Sequence, residues 1–405
     1  MSHDPSDLSE NTAAAPHPRV SDPSSGIRSG PLTGVRVLEM SGLGPVAFCC
    51  MHLADMGAEI VRVSAPSRQG ADHVGYDGDP LQRGRSPLYC DLKASGAVAA
   101  LLGVVESCDM LLEGYRPGVM ERLGLGPGAC LECNPRLVYG RVSGWGQEGP
   151  VSLAPGHDPN YLAIAGGLHP IGFRDRPPVQ PLNLVADLGG GAMYLLAGVL
   201  AALACVRDGG PGQVVDAAMV DGVASLMSWV YGARAAGNWS NTRQDNVMDG
   251  GCPYSSVYET ADGRYVVVAA VEPRFYSALL SALGLDAEAI PSRDDRDSWP
   301  ALRATMAAVF RTRTRAEWVL DLEGSEACVS PVLDLDEAPS HPHLKARGTF
   351  ITTPSGAIPA PAPRFTETPS SLAPAEAGAA SGVLAGWGVD PGIVARLSGP
   401  EGSTP

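Results

Sequence analysis

Apolar runs punctuated by glycine recur along the first 220 residues, and they organise the reading of the chain. The segment 35–40 (VRVLEM) predicts a strand, Ser41-Gly42-Leu43-Gly44-Pro45 a turn, and the following residues a helix to Met56 that Gly57 stops. Residues 58–63 predict a second strand, which makes a βαβ unit with parallel strands and a right-handed crossover. The alternation continues with strands at 88–92, 108–113, 137–143 and 213–219, and helices at 94–106, 116–123, 127–133, 187–207 and 221–237. After residue 250 the pattern changes. Segments 254–259 and 265–271 flank Ala261-Asp262-Gly263 as an antiparallel hairpin, and helices follow at 273–283, 298–310 and 315–322. The expected fold class is α/β, with a Rossmann-like large domain and a smaller α+β domain.

The boundaries expected from composition are a disordered Ser/Pro-rich leader at 1–30, the large domain at 31–220, and a linker helix at 221–250. The small domain then covers 251–330, a Pro-rich return segment to the large domain 331–370, and a mobile Ala/Gly/Pro/Ser tail 371–405, with one helical patch at 392–397. At 405 residues, 44% hydrophobic and 18% charged, the composition is globular and sufficient for a substantial core. The net charge of −15 changes the picture of partners. It argues against sequence-independent nucleic-acid binding and against anionic membrane surfaces, so local arginines must meet any anionic substrate. No apolar run reaches the ~18–20 residues of a membrane span, and the nearest, 192–206, reads as a buried helix. The polar N-terminus lacks the apolar core of a secretory signal, and the nine cysteines are odd in number and mostly in apolar settings, so a cytoplasmic location is expected. Cys130 and Cys133 form the single C-x-x-C, inside a predicted helix and without a second pair, and no metal site is expected there.

The chemistry concentrates between Gly140 and Gly191. His157 stands between Gly156 and Asp158, and Asp187 precedes Gly189-Gly190-Gly191, which strip side chains from the chain beside the carboxylate. An imidazole and a carboxyl facing each other across a small substrate make an acid/base pair. Each also has a plainer reading: the His as a turn or capping residue, the Asp as a helix N-cap, and Glu272 before Pro273 as a helix-terminus charge. Gly42-x-Gly44-x-x-Ala47 approaches a dinucleotide fingerprint, but the second strand ends in Val63-Ser64-Ala65 without the acid that holds a ribose, so a Rossmann-like scaffold with another use is favoured.

The segments PLTGVRVLEMSGLGP, LADMGAEIVRV, LLEGYRPGVMERLGLG, YGRVSGWGQEGP, GHDPNY, PLNLVADLGGG, GQVVDAAMVDG, GCPYSSVYETADGRY and AVEPRFY, in this order, resemble the family III CoA-transferase superfamily and, within it, the α-methylacyl-CoA racemase branch. The resemblance covers about Pro31 to Thr368. It implies an interlocked homodimer and a cofactor-independent racemase acting on 2-methylacyl-CoA, with CoA entering only as part of the substrate and no metal required. It also implies His157 and Asp187 as the catalytic pair and Glu272 as support for the imidazole, reaching it from the partner chain. Backbone N–H groups at the start of the Asp187 helix are expected to meet the enolate oxygen.

On the same resemblance, CoA falls on the large domain, with Arg122 the leading phosphate ligand and Arg83, Arg85 and Lys93 nearby, while Gly114 and Tyr115 line the pantetheine channel. Ala65 stands where the racemases often have a basic residue before proline, which shifts attention to Arg62 or Arg68. Met193, Met219, Met227 and Trp229 are expected mainly in core packing, with an acyl-chain wall as the alternative. Two other readings stay open: a CoA-transferase with Asp187 as acyl-anhydride nucleophile, and a catalytically silent CoA-binding protein.

Overall fold

A computed structural model describes residues 29–42, 44–66, 79–375 and 377–398. The leader up to residue 28, the alternative phosphate ligand Arg68, and the end of the tail beyond 398 lie outside the described residues.

In chain order the elements are β1 (Arg36–Met40), α1 (Pro45–Asp55), β2 (Glu59–Ser64), β3 (Arg85–Tyr89), α2 (Ala97–Val105), β4 (Met110–Glu113), α3 (Val119–Arg122), α4 (Pro127–Cys133) and β5 (Val138–Ser143). Next come α5 (Asp158–Ile164), a π-helix (Leu184–Ala192) running into α6 (Met193–Arg207), β6 (Gln213–Ala218), α7 (Met219–Leu226) and α8 (Ser228–Ala235). The remainder comprises β7 (Ser255–Glu259), β8 (Tyr265–Ala269), α9 (Pro273–Leu283), α10 (Trp299–Phe310), α11 (Arg315–Leu322), β9 (Val329–Pro331), α12 (Pro342–Arg347), β10 (Phe350–Thr353), β11 (Gly356–Pro359), α13 (Ala380–Gly386) and α14 (Pro391–Ser398). The chain divides into two compact units. The first takes the chain up to Arg141, Leu195–Val215 and everything from Pro339; the second takes Val142–Tyr194 and Asp216–Ala338.

The first unit is built on a six-stranded sheet of order β3-β2-β1-β4-β5-β6, the doubly wound order of a Rossmann-like scaffold. β1 runs parallel to β2 and β4, β2 to β3, and β4 to β5. Leu38, Leu111, Leu101 and Tyr139 are fully buried between sheet and helices. β3 begins at Arg85, three residues ahead of the strand expected at 88–92, because two of its residues are polar but buried. Arg85 donates from Nε to Glu39 of β1 at 2.9 Å and also bonds to the carbonyls of Ala47, Leu81 and Arg83. The segment expected as a mobile tail is packed. Leu384, Trp387, Val389 and Leu397 join the core cluster of α2, and the Trp387 indole donates to Glu59 at 2.6 Å.

In the second unit, β8 is the middle strand of a three-stranded antiparallel sheet between β7 and β9, so the Val329 region adds a strand instead of starting an extended return. Tyr258, Val266, Val268, Leu279, Leu302, Phe310 and Trp318 form its core. α11 opens with a reciprocal cap, in which Thr314 accepts from the Glu317 N–H and Glu317 from the Thr314 N–H. The helix expected across 221–237 is two helices, broken where Met227 leaves helical geometry at φ −83°, ψ 3°. The continuous helical run Leu184–Arg207 is 24 residues long, longer than the apolar run expected, and an 18-residue stretch of it has mean hydropathy 1.9; the run is long and apolar enough to cross a bilayer, a measure that buried core helices also meet.

Candidate active site

Two helix beginnings in the second unit hold the predicted pair. His157 is the N-cap of α5. Its N–H donates to the Asn160 side chain at 3.0 Å, and its carbonyl accepts the Asn160 N–H at 2.9 Å, which fixes the backbone where the imidazole leaves it. Pro159 in the first turn favours the start of the helix there. Upstream, the Tyr161 hydroxyl donates to the Gly156 carbonyl, and the Trp145 indole meets the Tyr161 ring edge to face at 4.7 Å. A Cβ at Gly144 would lie 2.0 Å from the Tyr161 ring, so only glycine admits this brace.

Asp187 lies in the first turn of the π-helix, and Asp158 organises that turn. Only 3% exposed, Asp158 accepts the N–H groups of both Ala186 and Asp187 on one carboxylate oxygen, each at 2.8 Å. The Leu188 N–H then reaches five residues back to the Asn183 carbonyl at 3.3 Å, the spacing of a π-turn. Across this segment Gly190 meets Gly222 of α7, where a Cβ on Gly222 would sit 1.9 Å from the Gly190 carbonyl oxygen. The side chain of Asp158 therefore ties the two helix starts together. Nothing local in the sequence shows this role, since its two backbone partners are 28 and 29 residues away.

These contacts set the electrostatics. The Asp187 carboxyl is raised from the ordinary 3.8 to about 6, first by burial and then by the neighbouring Asp158 charge, while an Asn183 hydrogen bond and His157 pull the other way. His157 lies near enough to act on the Asp187 carboxyl through its charge, the smallest of these four effects. Among the described residues, the second Asp158 oxygen is buried without a hydrogen-bond partner. Of the backbone N–H groups at the start of this helix, those of Ala186 and Asp187 are taken up by Asp158. Glu272 is the exposed N-cap residue of α9, and among the described residues no hydrogen bond joins it to His157.

The expected phosphate ligands separate into two sets. Arg83 is buried in a two-point pair with Asp55 (Nε–Oδ1 2.9 Å, Nη2–Oδ2 2.5 Å), and Arg85 is buried against Glu39; both guanidinium groups are engaged in holding the first unit together. Arg122 on α3 and Lys93 are exposed, and among the described residues neither has an ion pair. Arg62 is half-buried, bonded to Gln82 and to the Ser41 hydroxyl. A cavity of about 320 Å³ opens in the first unit, lined by Ser41, Val63, Ser64, Ala65, Leu92, Tyr115, Val119 and Leu123. Gly114 is exposed beside the half-buried Tyr115. Of the expected apolar residues only Met219 is buried; Met193 and Trp229 are exposed, Trp229 to 60%. Met227 lines a separate cavity of about 280 Å³ in the second unit with Tyr231 and Trp239. Among the described residues no three His, Cys, Asp or Glu side chains gather as metal ligands.

The chain is 44% identical over 343 residues to the α-methylacyl-CoA racemase of Mus musculus, an alignment covering 84% of this chain and 87% of that one. It is 43% identical over 340 residues to the α-methylacyl-CoA racemase of Homo sapiens, with the same coverage. Among solved structures, Rv3272 from Mycobacterium tuberculosis superimposes with a TM-score of 0.72 at 25% identity, covering 86% of this chain and 96% of that one. The sequence profile of CoA-transferase family III matches residues 32–378. With this profile spanning most of a chain that also has the sheet order and glycine-lined Asp187 helix described above, the protein belongs to CoA-transferase family III.

Proposed function

We propose that this protein is a racemase that inverts C2 of 2-methylacyl-CoA thioesters by proton transfer through an enolate. The observation that carries the reading is the His157–Asp187 pair, with the carboxyl raised to about 6. The racemase names of the mouse and human relatives give the substrate class.

The C2–H bond beside a thioester is acidic because the resulting anion delocalises onto the thioester oxygen. Neutral His157 takes the proton from one face, and its electron pair moves into the enolate. Protonated Asp187 then delivers a proton to the opposite face of C2, which leaves imidazolium and carboxylate. The other enantiomer runs the same steps in reverse. An ordinary exposed aspartic acid is almost wholly ionised near neutrality, so burial beside the Asp158 charge is what keeps a fraction of Asp187 able to donate. The chemistry uses no redox group or metal, and CoA enters as part of the substrate, held on the first unit by Arg122, Lys93 and the Tyr115 cavity.

Glu272 supports His157 from the partner chain of an interlocked homodimer. This part of the reading is supported by Glu272 being exposed and by the exposed apolar residues Ile164, Leu226, Trp229 and Tyr231 of the second unit. A cytoplasmic setting belongs to the same proposal, supported by nine unpaired thiols.

The test incubates one pure enantiomer of a 2-methylacyl-CoA with the enzyme in D₂O. Deuterium at C2 together with loss of optical purity is the expected result. Transfer of CoA to an added carboxylic acid without exchange would instead identify Asp187 as the nucleophile of a CoA-transferase.

A further inference from the structure

We infer that Glu113, through Arg141, is a positioning residue that sets one wall of the first unit's cavity and thereby controls affinity for CoA. The inference rests on the reading that CoA occupies this cavity.

Glu113 ends β4 and is 1% exposed. A carboxylate so buried requires partners, and each of its oxygens has one. Oε1 accepts from Arg141 Nε at 3.2 Å, across the β4–β5 register, and Oε2 accepts the Tyr115 N–H at 2.7 Å. Arg141 continues the chain of contacts, donating from Nη2 to Glu121 on α3 at 3.0 Å. Three of the eight cavity-lining residues, Tyr115, Val119 and Leu123, belong to this one stretch. The other five come from β2 and from the loops after β1, β2 and β3. The clasp holds the stretch at both ends, through the Tyr115 backbone and through Glu121, the neighbour of Arg122.

The groups facing Glu113 are Arg141 and Tyr139 of β5, Glu121 of α3 and the Tyr115 N–H. Burial dominates and raises Glu113 from 4.5 to about 7, against the lowering effects of the Tyr115 N–H and Arg141. Ionised Glu113 makes charge-assisted bonds to both partners, and protonation weakens them. CoA therefore binds most tightly above about pH 7 and more weakly as pH falls through it.

The experiment measures the calorimetric Kd of free CoA for the full-length protein from pH 5.5 to 8.5, alongside kcat and KM for a racemised acyl-CoA. Glu113→Gln keeps an acceptor for the Tyr115 N–H but loses the charge. Its Kd and KM are expected to rise ~10-fold, the size of one charge-assisted hydrogen bond, with kcat unchanged and the pH step near 7 abolished. Arg141→Lys, which keeps the charge but loses the planar fork whose Nε and Nη2 reach Glu113 and Glu121 separately, is expected to raise Kd similarly and stands in if Glu113→Gln does not fold. Val119→Trp, which fills the cavity, is the control for the underlying reading. If it leaves CoA binding intact, CoA does not sit there and the inference goes with that reading. If Val119→Trp abolishes binding while Glu113→Gln and Arg141→Lys keep the wild-type Kd and pH step, the clasp has no positioning role and only this inference is overturned. A lower melting temperature with kcat and Kd shifted together marks Glu113 as merely structural and likewise overturns it.

Discussion

Asp187 has two distinct proton-linked consequences. Its folded pKa of about 6 lies above the ordinary 3.8, so its contribution to stability is complete below about 4 and is lost as pH rises through 6. In catalysis the same carboxyl must be protonated when His157 is the base, so kcat/KM in that direction falls as pH rises above about 6. Asp158→Asn removes the second cause of the shift while leaving an acceptor for the two backbone N–H groups. We predict that this basic limb moves to lower pH, measured as the pH profile of kcat/KM for the enantiomer that His157 deprotonates; an unmoved limb contradicts the electrostatic assignment. His157 and Asp187 were legible in the sequence because each sits beside glycines in a family motif. Asp158 was not, since its importance comes from two hydrogen bonds to a helix nearly thirty residues on. Arg83 and Arg85 misled for the corresponding reason: a basic run reads as a phosphate site until Asp55 and Glu39, on other elements, are seen to bury it.

Among the elements, the π-helix is the least readable and the most consequential. A run such as LVADLGGGA has the same apolar content whether its hydrogen bonds span four residues or five. What selects the wider turn is tertiary: Asp158 takes two N–H groups, and Gly222 presses against Gly190. Gly222→Ala should therefore push α7 away from the π-helix, lower stability by ~1–3 kcal/mol and reduce kcat more than it raises KM, read by thermal melting and steady-state kinetics. Unchanged melting and kcat would show that the contact is slack. The βαβ order, the β7–β8 hairpin with its D-G turn and the capped α11 were all legible from local pattern. The start of β3 and the packing of the C-terminal segment were not, although the helical patch expected at 392–397 is matched by α14. Paired arginine hides the start of β3, and the buried Leu384, Trp387, Val389 and Leu397 are too sparse among Ala, Gly and Ser to show a period.

At the scale of the whole molecule, the proposed dimer makes each active site depend on two chains. Co-expressed His157→Ala and Glu272→Ala chains form heterodimers in which one site carries both defects and the other neither. Activity rising above that of either variant alone is predicted, and a mixture no better than its parts contradicts a shared site. Two unlike bases on opposite faces of one carbon can be separated by α-proton exchange in D₂O with Asp187→Asn and His157→Ala, each given both enantiomers. Each variant is predicted to lose racemisation by at least ~100-fold yet still to exchange, with retention, the enantiomer whose C2–H faces its surviving base. Exchange of both enantiomers by either variant, or racemisation persisting in one, would contradict the account.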